Sequence, residues 1–187
     1  MNINAIDNTC SFKANLETSV KFANKTRLQN IEKLFNKATI KYPKETLYIT
    51  EKDNGQIYLH TSTISNNPFH EEISTYSLQE FLNNFSDIEI AKKFTSAFKI
   101  LRLSDISDTL KKTIEYNKLK YINNKRISNN LRKIGREDFA DKYDMFAKFN
   151  SDKINTLTKQ QESIRNDFYK EQKNASEQFP EVLQVEI

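Results

Sequence analysis

The chain has 187 residues, a net charge of +4 from 29 Lys and Arg against 25 Asp and Glu, and 37% hydrophobic residues. That length suits one domain, or a small domain with a helical extension, and is enough to bury a real core. Two Gly and three Pro favour long helices over many short strands, and a single Cys excludes both an internal disulfide and a Cys-based zinc site within one chain.

Thirteen Phe and eight Tyr, with no Trp, supply bulky core material. The chain is rich in Asn, Lys, Ile and Phe, whose codons are A/T-rich, which points to an AT-rich genome. Lys abundance of that origin accounts for a pI near 9.0, and a charge of +4 does not by itself imply nucleic acid. The opening residues lack the basic and apolar regions of a secretory signal, and no apolar run is long enough to span a bilayer. The expectation is a soluble, cytoplasmic protein.

In chain order, Cys10, Phe12, Ala14 and Leu16 alternate with polar residues and predict a short strand. A helix follows from about residue 26 to 41. Thr26 and Gln29 fit a capping box, and Leu28, Ile31, Leu34, Phe35 and Ala38 form its apolar stripe up to the stop at Pro43.

The stretch TLYITEKDNGQIYLHTST, 46–63, reads as a β-hairpin. A two-residue Asn54-Gly55 turn would pair Thr50 with Leu59 and Lys52 with Ile57, mixing apolar and polar residues on one face. A three-residue loop, Asp53-Asn54-Gly55, pairs Ile49 with Leu59 and Leu47 with Thr61, and puts Gly55 at the left-handed bulge position. The second register is expected. A two-stranded hairpin is marginal alone, so a third strand is expected from either Cys10–Leu16 or Leu183–Ile187, with the 26–41 helix covering one face.

After a polar connection, capping boxes at Ser77/Glu80 and Ser86/Glu89 predict a short helix and a longer one. A long helix is expected from about Asp105 to Ile134, ended by Gly135. A further helix carries Phe139, Tyr143 and Phe146 on one face. Ser151 or Asp152 is expected to cap a last helix with the seam Ile154, Leu157, Gln161, Ile164 and Phe168. Phe94, Phe98, Phe139 and Phe146 are expected in the core. The fold class is α+β, mostly α: a small antiparallel sheet, hairpin 46–63 plus one terminal strand, with a covering helix, then a helical bundle. The division expected is an α+β module over 1–75 and a bundle over 76–187, together forming one unit.

Motifs that carry chemistry are scarce. His70-Glu71-Glu72 begins like a zincin helix, but Ser74 stands where the second His belongs, and His60 has no reason to join it. Gly at 55 and 135 alone cannot build a phosphate loop. Cys10 falls on the apolar side of its strand, where a small buried hydrophobe is expected rather than a nucleophile. Glu137, Asp141 and Asp144 share a helix face, and a solvated face answering nearby lysines is favoured over paired-carboxylate chemistry or cation binding. No cofactor or metal is expected.

The most specific feature is residues 110–136, with nine basic residues and one acidic, Glu115. Lys111, Lys118, Lys125 and Arg132 repeat every seven residues, with Arg126, Lys133 and Arg136 beside them. On one helix these seven form a ridge within about a third of the circumference, opposite Leu103, Ile106, Leu110, Tyr121, Ile127, Leu131 and Ile134. Such a ridge suits phosphates on nucleic acid or an anionic surface; the alternative is a solvated face in a Lys-rich chain. Asn117, Lys120 and Asn124 weaken the apolar seam and are a place for the helix to break. The leading expectation is a non-enzymatic interaction protein whose last or basic helix docks a protein partner or a second copy. A nucleic-acid-binding protein using the 111–136 ridge comes second, and an enzyme with an atypical site third.

Overall fold

The computed structural model describes residues 15–18, 25–42, 45–51, 56–61, 72–77 and 82–178. The chain is mostly helical. It divides into two compact units, Met1–Leu101 with Asn174–Val185 and Arg102–Lys173 with Glu186–Ile187. Cys10, Gly55, His70 and the Leu183–Ile187 strand candidate lie outside the described residues.

In the first unit, strands β1 (Asn15–Thr18), β2 (Thr46–Glu51), β3 (Gln56–Thr61) and β4 (Glu72–Ser77) lie in the order β1-β2-β3-β4. In the β2–β3 pairing Leu47 opposes Thr61, Ile49 opposes Leu59 and Tyr48 opposes His60. Two expectations are corrected. β1 runs parallel to β2, with Asn15 opposite Thr46, so the sheet is mixed rather than antiparallel. The reason is connectivity: helix α1 (Lys25–Ala38) carries the chain back to the end where β1 began, as parallel neighbours require. The polar connection after the hairpin contains β4, antiparallel to β3, with an irregular register between Gln56 and Tyr58.

Ile31 and Phe35 of α1 are buried with Leu47, Ile49 and Leu59 of the sheet and with Ile90, Ala91, Phe94, Ala97, Phe98 and Leu101. The last six belong to helix α2 (Asp87–Lys133). The Phe98 ring meets Phe35 edge-on at 5.6 Å between centroids and Tyr42 at 5.7 Å. Arg27 fastens α1 to the start of α2. Its Nε binds Asp87 at 2.7 Å, and its two terminal nitrogens donate to the carbonyls of Leu82 (2.6 Å) and Phe85 (2.9 Å).

α2 opens on a reciprocal cap. The Ser86 amide donates to Glu89 Oε2 at 2.7 Å, and the Glu89 amide reaches Ser86 Oγ at 3.4 Å. The Ser86 amide first, and then the Ser86 hydroxyl, which donates to the same carboxylate oxygen at 2.7 Å, hold the Glu89 carboxyl below its usual range. From there α2 runs unbroken for 47 residues, which corrects the expectation of one helix opened at Ser86/Glu89 and another starting near Asp105, and the weak point expected near Asn117 does not interrupt it. The Asn117 side chain donates to the Thr113 carbonyl at 2.7 Å and stays within its own helix.

Helix α3 (Glu137–Gln178) corrects the expectation of two separate helices. Ser151 and Asp152 sit in its interior. Capping side chains do not end a helix by themselves, and no Gly or Pro interrupts this stretch. The Asn150 side chain donates to the Phe146 carbonyl at 2.7 Å, within its own helix.

Candidate functional site: two unlike flanks of a helical hairpin

The second unit is a hairpin of the C-terminal part of α2 and most of α3. Its turn is a Schellman closure: Gly135 N–H donates to the Arg132 carbonyl at 3.0 Å and Arg136 N–H to the Leu131 carbonyl at 2.9 Å. This needs a left-handed residue at Gly135, whose φ is +71°. The Arg136 carbonyl then accepts the first bond of α3 from Ala140. Arg132 and Lys133 in the last turn of α2, and Glu137 and Asp138 in the first turn of α3, match the helix dipoles.

The buried faces follow a heptad alternation of three and four. On α2 it runs from Ser107 through Ile114 and Asn117 to Ser128, with Leu131 half-buried at its end; on α3 it runs from Ala140 through Ala147 and Asn150 to Phe168. Taking Ser107 and Ala140 as positions a, the seam residues are a and d, and the positions beside the seam are e and g.

Lys111, Lys118, Lys125 and Arg132 all fall at e. They therefore border the seam instead of lying opposite it. Two of them are engaged by α3. Lys125 Nζ is 2.9 Å from Asp144 Oδ1, and Arg132 Nη1 is 2.5 Å from Asp144 Oδ2. Arg132 also reaches Asp141 at 2.6 Å and Glu137 at 3.3 Å, and donates to Ser128 Oγ at 2.7 Å. The Asp144 carboxyl, bonded to Lys125 and then to Arg132, is lowered to about 2. The Arg132 guanidinium is raised, chiefly by its bond to Asp144. The other ridge residues, Lys111, Lys118, Arg126, Lys133 and Arg136, are exposed, with Arg126 and Lys133 at f on the outer face.

Because the e edges of α2 and α3 meet through these ion pairs, their g edges meet on the other side of the seam. There the chemistry reverses. Ile127 occupies g on α2 and Ile134, the first residue past its end, continues that row; Phe139 and Phe146 occupy g on α3, with Phe149 at c. Their exposure runs from 37% for Ile127 to 71% for Ile134, with Phe139 and Phe146 near half. The Arg136 guanidinium lies 4.6 Å from the Phe139 ring centroid, and Tyr143 meets Phe146 edge-on at 6.0 Å. Around the turn the g and c positions also carry Lys120, Lys142 and Lys153, and no carboxylate.

This corrects the expected core. Phe94 and Phe98 are buried, but Phe139 and Phe146 are not. Small residues, Ala140 and Ala147, hold the buried seam positions beside them. The signal was available: the seam expected from Ile154 to Phe168 extends back in register through Asn150, Ala147, Tyr143 and Ala140, leaving both phenylalanines outside it. Among the described residues there is no group of three or more His, Cys, Asp and Glu placed to hold a metal ion, and no helix long and apolar enough to cross a membrane.

No family model matches the chain, and neither a curated protein nor a solved structure is significantly similar to it.

Proposed function

We propose that this chain is a non-enzymatic, cytoplasmic protein-interaction module. In this reading the small sheet with its covering helix is the anchor, and the helical hairpin presents the docking surface near its turn. The observation that supports it is the g flank. Five large apolar side chains, Ile127, Ile134, Phe139, Phe146 and Phe149, are left at least 37% exposed on one side of a short stretch of hairpin. Scattered single exposed apolar residues are ordinary, but a contiguous group marks an interaction surface. The flank is tested by a photo-crosslinking residue placed at Lys142, on the flank, or at Lys159, on the outer face of α3. A discrete protein adduct from position 142 and none from 159 is the expected result. Equal adducts from both, or none from 142, would remove the reading.

The second reading, nucleic acid on the basic face, draws on the exposed cations Lys111, Lys118, Arg126, Lys133 and Arg136. It is weakened by the local carboxylates on Lys125 and Arg132. Salt-dependent retention on immobilised DNA would favour it.

A further inference from the structure

The g flank has a charge pattern as well as an apolar surface, and the two together specify a partner. Ile127 on α2 and Ile134, the first residue past its end, are one heptad apart, and Phe139 and Phe146 are one heptad apart on α3. Each pair therefore repeats at about 10.5 Å along its helix. A third helix laid along this side would meet both rows with its own a and d side chains, as in a bundle. Ile127, Phe139 and Phe146 are only about half exposed. They line the edge of the seam rather than project from it, which suits a packed helix better than a bilayer surface.

The rim selects the charge of that helix. Lys120, Lys142 and Lys153 are exposed on the flank and Arg136 stands at its end. Asp141 and Asp144, on the other edge, are already bonded to Arg132, and Asp138 and Asp152 stand at f on the outer face. A second copy docking by the same patch would set these cations against themselves, because a two-fold interface pairs a surface with its own copy. Like charges placed opposite one another work against association.

We infer, resting on the docking reading above, that the partner is an acidic amphipathic helix: apolar residues at heptad spacing, flanked by Asp and Glu that meet Lys120, Lys142 and Lys153. From Lys120 to Ile134 the flank has room for about two heptads of it.

The test is a displayed library of two-heptad helices with apolar seams and randomised Glu or Lys at the flanking positions, selected on the full chain. Selected helices should be rich in Glu. Their affinity should fall at least about tenfold on Phe146→Ser/Phe149→Ser and on Lys142→Glu/Lys153→Glu, and stay unchanged on Lys159→Glu. Phe146 and Phe149 are 46% and 66% exposed, the substituted lysines are exposed, and circular dichroism verifies that the variants fold. Enrichment of Lys, or of neither charge, would overturn the acidic partner while leaving a protein docking flank intact. Failure to enrich any helix over the Phe146→Ser/Phe149→Ser chain, with anionic phosphatidylglycerol vesicles or single-stranded DNA binding instead, would overturn both.

Discussion

Arg132 on α2 and Asp144 on α3 are joined across the hairpin at 2.5 Å, and Lys125 holds the other oxygen of the same carboxylate at 2.9 Å. This pairing assigns the two edges of the hairpin their roles. The e edge is satisfied within the chain, while the g edge keeps its apolar side chains exposed. Reversing Lys111, Lys118, Lys125 and Arg132 to Glu together should therefore loosen the hairpin, because Lys125 and Arg132 would become carboxylates facing Asp144. Reversing only Lys111 and Lys118 should leave the melting temperature nearly unchanged. Thermal melts of the two variants check this.

Asp144 gives the hairpin a pH dependence of definite sign. Its carboxyl is lowered to about 2, whereas a free Asp titrates near 3.9. Its contribution is fully present above about pH 4 and is lost as pH falls toward 2, since the unfolded chain takes up that proton first. Asp144→Asn should flatten the acid side of the stability profile over that window. Urea titrations of both chains at a series of acidic pH values read the difference, and identical profiles would contradict the assignment.

Gly135 stands at φ +71°, with open space where a Cβ would project. Gly135→Ala should cost about 1 kcal/mol from backbone conformation alone, with no clash to add to it. Gly135→Asn should cost less, because Asn tolerates this region better. A larger loss for Asn than for Ala would contradict the Schellman closure.

The phenylalanines separate core from surface. Phe98 is fully buried against Phe35 and Tyr42, and Phe98→Ala should cost about 3–5 kcal/mol. Phe149 is 66% exposed, and Phe149→Ser should change stability by no more than about 0.5 kcal/mol. Denaturant unfolding of the two variants should differ accordingly.

What was legible in the sequence was set by local chemistry. Ser86 and Glu89 fixed the start of α2, and Gly135 its end, because a cap and a left-handed residue act within a few positions. The direction of β1 was not legible, since it depends on how α1 returns the chain to the sheet. Phe139 and Phe146 read as core from their bulk, but bulk is not burial. In α3 the seam belongs to Ala140, Ala147 and Asn150, which a ranking by hydrophobicity passes over, and the larger Phe139 and Phe146 stand beside it. The basic heptad was correctly spaced, but its face could be fixed only by knowing the seam, which puts Lys125 and Arg132 against α3.

In the proposed function, recognition rests on the g flank and not on the basic face. This is tested most directly by affinity purification from native cells with three baits: the wild-type chain, Phe146→Ser/Phe149→Ser, and Lys111→Glu/Lys118→Glu. Quantitative mass spectrometry of the nuclease-treated eluates should show at least one protein reduced about tenfold or more with the flank variant and unchanged with the charge variant. Retention of every partner by the flank variant, with loss by the charge variant or on nuclease treatment, would contradict the account.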